Sequence, residues 1–350
     1  MNRLQRYIIT TVVVGAFVAL AAVLALLTAF EFIEEAASAG GAMTAVALQV
    51  LLLTPQRAYA IFPIATLIGA LVGLGALAAR HELVAMRAAG MSIGAITRSV
   101  LAAGLLLGVV ALALGEWLVP PAQRMAQQWR AGADGGAVAG DMKGGFWVRD
   151  RSRFMHVERA PGPRVIEGVR IYRVADNRLT EVVRAKRGIW SDGAWELRDV
   201  ERIRPMEQAV ERSQQPSLEL DSAITPATLE VVVLEPGSLA LTELATYIDY
   251  LDSHELDSAR YRLAFWVKVA TPLATLTMLL ITVPLIFGGL RHVGAGQQIF
   301  IGVVIGLAFF LANKLLANAG LVYGLPPVLT ALAPTVVVFC AGVWGLSRVR

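Results

Sequence analysis

The apolar stretches of the chain fall into two groups of three, separated by a long charged segment from about residue 120 to 262. A helix needs roughly 20 apolar residues to cross about 30 Å of hydrocarbon. Six stretches meet this length: 7–30, 59–79, 100–119, 265–287, 299–316 and 327–346. The pattern therefore predicts an α-helical membrane bundle of six transmembrane helices with one large inserted domain.

The inserted domain is predicted to be all-β. Short runs that alternate, or that are rich in β-branched and aromatic residues, lie at 145–148, 154–157, 164–174, 179–190, 194–200 and 218–220. Turn residues separate them: Pro161-Gly162-Pro163, Asp176-Asn177, Ser191-Asp192-Gly193 and Gln215-Pro216-Ser217. Short strands at this spacing are typical of a sandwich, jelly roll or open barrel. After them, helical spacing of Leu244, Ile248 and Leu251 predicts a helix over 239–251, capped by Ser238 or Thr242 with Glu243 in its first turn.

These patterns divide the chain into helices 1–3 over 1–131, the β domain over 132–238, and a connecting helix with helices 4–6 over 239–350. A hydrophobic content of 56% and a mean hydropathy of +0.60 agree with a membrane protein. Basic residues collect on one side of the predicted spans: Arg3, Arg6, Arg80, Arg87, Arg98, Arg291, Arg348 and Arg350. The positive-inside rule then places both termini and the loops 80–98 and 288–297 in the cytoplasm, and the insert outside.

The sequence predicts no catalytic or cofactor site. None of the four histidines lies in a predicted span or at metal-ligand spacing, and there is no Gly-x-x-x-x-Gly-Lys-Ser/Thr motif. The string Gly90-Met91-Ser92-Ile93-Gly94 matches a nucleophile elbow but lies between two membrane helices, where a helix stop at Gly90 and a cap at Ser92 explain it. We expect no ionisable cluster inside any span, which argues against a membrane-embedded enzyme. No basic stripe with interleaved aromatics is present, which argues against nucleic acid.

Two local patterns are open to two interpretations each. The polar segment 80–90, between spans two and three, predicts a short helix with Leu83 and Met86 on one stripe. It is either an interfacial turn or a knob whose exposed Leu83 and Met86 dock on a cytoplasmic partner. Small-residue motifs indicate close helix packing or docking of a paralogous partner. They are Gly69-x-x-x-Gly73 with Gly75, Gly104-x-x-x-Gly108 and Gly302-x-x-x-Gly306.

A set of motifs in fixed order carries a resemblance that runs essentially from end to end. They are Arg6-Tyr7-Ile8, Ile61-Phe62-Pro63, Gly69-Ala70-Leu71-Val72-Gly73-Leu74-Gly75, Glu82-Leu83 with Ala89-Gly90, Gly115-Glu116-Trp117 and Val322-Tyr323-Gly324-Leu325-Pro326-Pro327. With this order and spacing, the sequence resembles the LptF/LptG family of lipopolysaccharide-export permeases, and is closer to the LptG branch.

The resemblance implies a multi-pass protein of the inner (cytoplasmic) membrane with a periplasmic β-jellyroll. The implied partners are a paralogous LptF-type permease, a cytoplasmic ATPase dimer that binds ATP and Mg²⁺, and a single-span partner of LptC type with its own jellyroll. The segment at about 80–90 would be the coupling helix, with Glu82, Leu83, Met86, Arg87 and Gly90 facing the ATPase. The implied assembly extracts lipopolysaccharide from the outer leaflet of the inner membrane and passes it to a periplasmic bridge.

The sequence departs from the family at the outer end of span one. Family members of this branch tend to carry basic residues there, whereas this chain has Glu31-Phe32-Ile33-Glu34-Glu35, which would repel an anionic head group. The resemblance then points to Arg124 and Arg130 for the lipid phosphates, and chemistry adds Lys314. Phe62, Phe309 and Phe310 are candidates for the wall of an apolar cavity formed by spans one, two and five. The rival class is a non-transporting membrane scaffold whose β domain binds partner proteins.

Overall fold

A computed structural model describes most of the chain. The described residues are 3–38, 43–133, 145–150, 153–162, 164–175, 178–191, 193–205, 210–220, 226, 236–253, 257–288 and 294–348. The chain forms two compact units, Met1–Gln123 with Pro236–Arg350, and Arg124–Glu235. The first unit is helical and the second contains the β-sheet.

The helices follow the apolar pattern closely. They are α1 (Arg3–Ser38), α2 (Met43–Ala79), α3 (Glu82–Ala88), α4 (Ile93–Ala113), a π-helical turn (Leu114–Leu118), α5 (Val119–Ala133), α6 (Leu241–Ser253), α7 (Ala259–Gly288), α8 (Ala295–Tyr323) and α9 (Pro327–Arg348). Six helical stretches are long and apolar enough to cross a membrane, which confirms the six predicted spans. We call the end of the bundle that carries α3 the α3 end.

Close packing within the helical unit explains the small-residue motifs. Gly69 of α2 faces Gly15 of α1 so closely that a Cβ on either residue would overlap the other backbone. The motif at Gly104 packs on Leu276 and Leu279 of α7, and the motif at Gly302 packs on α2. These motifs therefore join helices of the same chain, and they do not leave free faces for a paralogous partner.

The second unit contains a six-stranded antiparallel sheet. Its strands are β1 (Phe146–Asp150), β2 (Arg153–Gly162), β3 (Val165–Ala175), β4 (Arg178–Ser191), β5 (Ala194–Pro205) and β6 (Val210–Leu220), and they pair in chain order. Alternation places one set of side chains in a common core that includes Met155, Val169, Val183, Trp195 and Leu197. The predicted class, a six-helix membrane bundle with an inserted β domain, is confirmed; the described strands form an up-and-down meander.

Strand β6 is longer than the sequence pattern predicted. The prediction covered only 218–220 and assigned Gln215-Pro216-Ser217 to a turn, whereas the strand runs over Val210–Leu220. Among the described strands β6 lies at the end of the sheet and pairs only with β5. An end strand can be polar and can contain a proline, because one of its edges makes no ladder bonds to a described strand.

Candidate functional site

At the α3 end, residues with a positive φ lie on both sides of the short helix α3. His81, which precedes α3, has a positive φ of 60°, and Gly90, which follows it, has a φ of 89°. The Ser92 hydroxyl then accepts a hydrogen bond from the Ala95 N–H at 3.2 Å at the start of α4. The predicted helix stop and cap are confirmed, so the Gly-x-Ser-x-Gly string is a connection between helices.

The apolar stripe of α3 faces its own bundle. Leu83 is 3% exposed and Met86 is 6% exposed, and both belong to the core formed by the long helices. The prediction that these two side chains are exposed for docking is therefore wrong. The long helices also present apolar side chains at this end of the bundle. An apolar stripe at helical spacing does not show whether it packs on these helices or on a partner protein.

The face of α3 that remains accessible carries other residues. Val84 is 57% exposed, and Arg87, Ala88 and Gly90 are also exposed. Glu82 has a different contact, because its Oε2 accepts a hydrogen bond from the Tyr7 hydroxyl of α1 at 2.9 Å. Of the five predicted coupling residues, Arg87 and Gly90 thus lie on the accessible side, whereas Glu82 ties α3 to α1.

At the opposite end of the bundle, the acidic segment of α1 is engaged by α2. Arg57 forms an ion pair with Glu31, and its Nη1 also donates to the Val50 carbonyl oxygen at 3.2 Å. Gln49 donates to Oε1 of Glu35 at 2.5 Å. Because Arg57 neutralises Glu31, the expected repulsion of an anionic head group is weaker than the sequence suggests.

The predicted substrate residues lie in different environments. Phe62 is 1% exposed and Phe309 is also buried, and both pack inside the bundle core. Phe62 offers no surface to a ligand, so its assignment to a cavity wall does not hold. Phe310 is half-buried, and its ring centroid lies 5.6 Å from Nζ of the exposed Lys314. Arg124 is half-buried in α5, and the side chain of Arg130 lies outside the described residues.

Several helices of the bundle expose apolar side chains, and α1 and α8 are the least buried of the candidate spans. On α1 the exposed side chains include Phe17, Val18, Leu26 and Phe30, and on α8 they include Phe300, Leu307, Leu311 and Leu315. By contrast, α2 is the most deeply buried of the six candidate spans. The expected contribution of span two to a cavity wall is therefore small, and the least buried spans are α1 and α8. Exposed apolar side chains also lie on α4 and α9, among them Leu105 and Val337.

The sequence reasoning missed a buried polar cluster inside the spans. Lys268 of α7 is 2% exposed, and its Nζ lies 2.7 Å from the Gly115 carbonyl oxygen and 3.3 Å from Oε1 of Glu116. The Tyr59 hydroxyl donates to the Lys268 carbonyl oxygen at 3.3 Å. The expectation of no ionisable cluster inside a span is therefore wrong. A lysine within an apolar stretch, and a glutamate near the end of another, were the available signals.

Helix α6 is attached to the bundle at both of its ends. Both carboxylate oxygens of Glu116 accept from the N–H of Leu241. At the other end, Asp252 accepts from the Ser258 hydroxyl at 2.7 Å and from Arg262 at 2.6 Å. The hydrogen bond from Ser258, with help from Arg262, lowers the pKa of the Asp252 carboxyl from its usual value. The carboxylate therefore stays charged and holds the turn between α6 and α7.

Metal ligation has no candidate in the parts of the chain that the structure describes. No group of three or more His, Cys, Asp or Glu side chains in those parts is placed to hold a metal ion.

Six helices that are long and apolar enough to cross a membrane, together with an inserted antiparallel β domain, define a multi-pass membrane protein. The family model described as "Lipopolysaccharide export system permease LptF/LptG" matches residues 6–348. The chain belongs to this permease family.

Individual members of the family match over almost their whole length. The chain is 33% identical over 352 residues to the "Lipopolysaccharide export system permease protein LptG" of Escherichia coli K12, covering 99% of this chain and 98% of that protein. It is 32% identical over 356 residues to the protein of the same name from Haemophilus influenzae, covering 100% and 99%. The similarity thus includes both helical halves and the β insert.

Proposed function

We propose that the chain is the permease subunit of an ATP-driven exporter that extracts lipopolysaccharide from the outer leaflet of the inner membrane and passes it to a periplasmic bridge. The observation that carries the proposal is the match to the lipopolysaccharide-export permease family over residues 6–348. The names of the two relatives, matched over nearly their full length, support the same function.

The energy for export comes from a separate subunit. Moving a buried acyl chain out of a bilayer costs about 0.8 kcal/mol per CH₂, so a lipid with several chains requires an external source of free energy. The sequence has no Gly-x-x-x-x-Gly-Lys-Ser/Thr motif, so ATP and Mg²⁺ bind to a partner ATPase dimer. This chain is the non-catalytic subunit.

The accessible face of α3 is the docking surface for that ATPase. Val84, Arg87 and Gly90 are exposed there, next to a cap that fixes the start of α4. Leu83 and Met86 have a different role from the one expected at first, because they anchor α3 to the bundle. Force on the exposed face therefore reaches the long helices through a packed apolar contact.

The exposed stripes of α1 and α8 form the lipid path together with a paralogous LptF-type subunit. Side chains such as Phe17 and Phe300 suit acyl chains, and the half-buried Phe310 lies beside the exposed Lys314 at the same surface. Arg124 and Arg130 of α5 are proposed phosphate ligands, because guanidinium groups bind phosphate oxygens bidentately. Lys314 is a separate candidate, with an ammonium group that pairs with a phosphate as a point charge. An LptC-type single-span partner with a jellyroll then receives the lipid.

The arginine asymmetry of the sequence supports the orientation, with the α3 end in the cytoplasm and the β insert in the periplasm. The experiment that tests the proposed assembly is co-purification from detergent-solubilised membranes of the native host. A small P-loop ATPase and a second chain with two groups of three spans should be recovered with this protein. Recovery of periplasmic partners alone would favour the rival scaffold function.

A further inference from the structure

The chain re-enters the bundle after its β insert at a point held by one carboxylate, that of Glu116. Its two oxygens lie 3.0 and 2.9 Å from the backbone nitrogen of Leu241, the first residue of α6. Nζ of Lys268 on α7 lies 3.3 Å from Oε1 of the same carboxylate. The π-helical turn after α4, the start of α6 and the first third of α7 are thus joined by one side chain.

The sequence explains why the turn has this shape. The Val119 N–H bonds to the Leu114 carbonyl, five residues back. The next residue is Pro120, which has no N–H to give to the Gly115 carbonyl. That oxygen accepts from Lys268 at 2.7 Å. Position 115 must be small, because a Cβ there would lie 2.7 Å from the Tyr59 ring.

Helix α6 is packed on α7 along its length. Leu244, Tyr247 and Leu251 are buried, and the Tyr247 ring contacts the Tyr261 ring edge-on with centroids 4.6 Å apart. Helix α6 also has a capping interaction of its own, since the Glu243 carboxylate accepts from the Ala240 N–H at 2.9 Å. The Leu241 N–H is one of the donors that a helix start leaves without a partner in the helix, and Glu116 of another span accepts it.

We propose that Glu116 is a positioning residue for lipid export. It fixes the start of α6 to the ends of spans three and four, so that movement of these spans during the ATP cycle is transmitted to the chain that returns from the β insert. Lys268 balances the charge of Glu116 at this buried site. The inference rests on the proposed function, since it assigns a role in lipid export to a contact within the bundle.

Two double variants distinguish the hydrogen bond from the Leu241 N–H to Glu116 from the charge balance between Glu116 and Lys268. Glu116→Gln with Lys268→Met, and Glu116→Leu with Lys268→Met, both remove the buried charges, which protects the fold from an unpaired ion. Glutamine keeps an oxygen that accepts the Leu241 N–H, whereas leucine of similar size does not. Each variant is reconstituted with its partner subunits, and hydrogen exchange at Leu241 is measured in the peptide 236–246, together with lipid released per ATP hydrolysed.

The leucine variant should exchange about 10- to 100-fold faster at Leu241, as expected for loss of a hydrogen bond to a charged group. It should also release less lipid per ATP hydrolysed. The glutamine variant keeps a neutral acceptor, so its exchange at Leu241 should be slower than in the leucine variant and its release should stay close to that of the wild type. Thr246→Val is the matched control on the same helix, because the exposed Thr246 hydroxyl donates to the Thr242 carbonyl oxygen of α6 itself, and this variant should keep normal release.

A second variant reaches the same contact from the donor side. Leu241→Pro removes the N–H at the first position of a helix, where proline is tolerated, and it leaves Glu116 and Lys268 in place. It should reproduce the release defect of the leucine variant. Normal release per ATP in both variants would overturn the positioning role. If the wild type itself shows no ATP-driven release, the proposed function fails. The exchange data then still test whether Glu116 holds the start of α6. Equal exchange at Leu241 in the two double variants would show that it does not.

Discussion

The hydroxyl of Tyr7 on α1 donates a hydrogen bond of 2.9 Å to the Glu82 carboxylate on α3. It connects the helix that exposes an apolar stripe to the short helix that we propose as the ATPase contact. The bond is exposed to solvent, so its contribution to stability is small. Its importance lies in connecting the two surfaces, because a displacement of α3 would reach α1 directly.

Tyr7→Phe tests this connection, because it keeps the ring and removes only the donor. We expect the free energy of unfolding to fall by about 1 kcal/mol or less. Lipid released per ATP hydrolysed should fall, even though the protein remains almost as stable as the wild type. Thr10→Val is the control, since the Thr10 hydroxyl bonds only to carbonyl groups of its own helix. Equal release in Tyr7→Phe and Thr10→Val would contradict the connection.

The two faces of α3 should respond differently to substitution. Val84→Asp and Arg87→Glu change exposed side chains, so the bundle should stay folded while the ATPase fails to co-purify. Leu83→Ala removes a buried side chain and should lower the free energy of unfolding by about 2–5 kcal/mol. Thermal unfolding and co-purification measure the two effects. A normal ATPase interaction in both exposed-face variants would show that α3 docks elsewhere.

The ion pair between Glu31 and Arg57 reverses the effect that the sequence alone predicts for Glu31→Lys. From the sequence alone, Glu31→Lys should remove repulsion of an anionic lipid and leave export unchanged or better. In the structure it would place a second cation against Arg57, so we expect a lower melting temperature and weaker export. Exchanging the two residues, Glu31→Arg with Arg57→Glu, should restore much of the stability. Unchanged melting and export in Glu31→Lys would show that the pair has no structural role.

The proposed phosphate ligands on α5 are tested by reversing their charge. Arg124→Glu and Arg130→Glu should each reduce photocrosslinking between lipopolysaccharide and a probe on α1, because a carboxylate repels the phosphate. Lys186→Glu is the control of equal charge change, on an exposed position of the β unit. Crosslinking that falls equally in the control and the two test variants would indicate a general charge effect.

Cysteine labelling tests the orientation. After replacement of Cys340, the only cysteine of the chain, single cysteines are introduced at the exposed positions Lys186 and Ala88. In intact spheroplasts an impermeant thiol reagent should label position 186 on the β insert, and position 88 on α3 should react only after lysis. The reverse pattern would invert the topology.

The order of helices and strands along the chain could be predicted from the sequence, because it depends on the period of the hydrophobic pattern and on the length of the apolar stretches. Six apolar stretches predicted six helices, and alternation with turn residues predicted all six described strands. The length of β6 could not be predicted, since its residues are polar and its strand character comes from pairing with β5. The predicted turn at Asp176-Asn177 lies outside the described residues.

The local contacts could not be predicted, because each depends on which surfaces meet. The stripe of Leu83 and Met86 was visible, but its contact with the bundle was not. Glu31 and Arg57 are 26 positions apart, and only the packing of α1 on α2 shows that they pair. Glu116 and Lys268 are separated by the whole insert, so their pairing follows from the packing of α4 against α7. Lone charges in or near apolar stretches are the sequence feature that the two ion pairs share.

The central claim is that this chain moves lipopolysaccharide when its partner hydrolyses ATP. The most direct measurement uses the purified complex in liposomes that contain lipopolysaccharide, with a soluble jellyroll acceptor outside. Lipid should reach the acceptor only when both ATP and Mg²⁺ are present, and this transfer should be lost in Val84→Asp. ATP hydrolysis by the intact complex with no lipid transferred would contradict the claim.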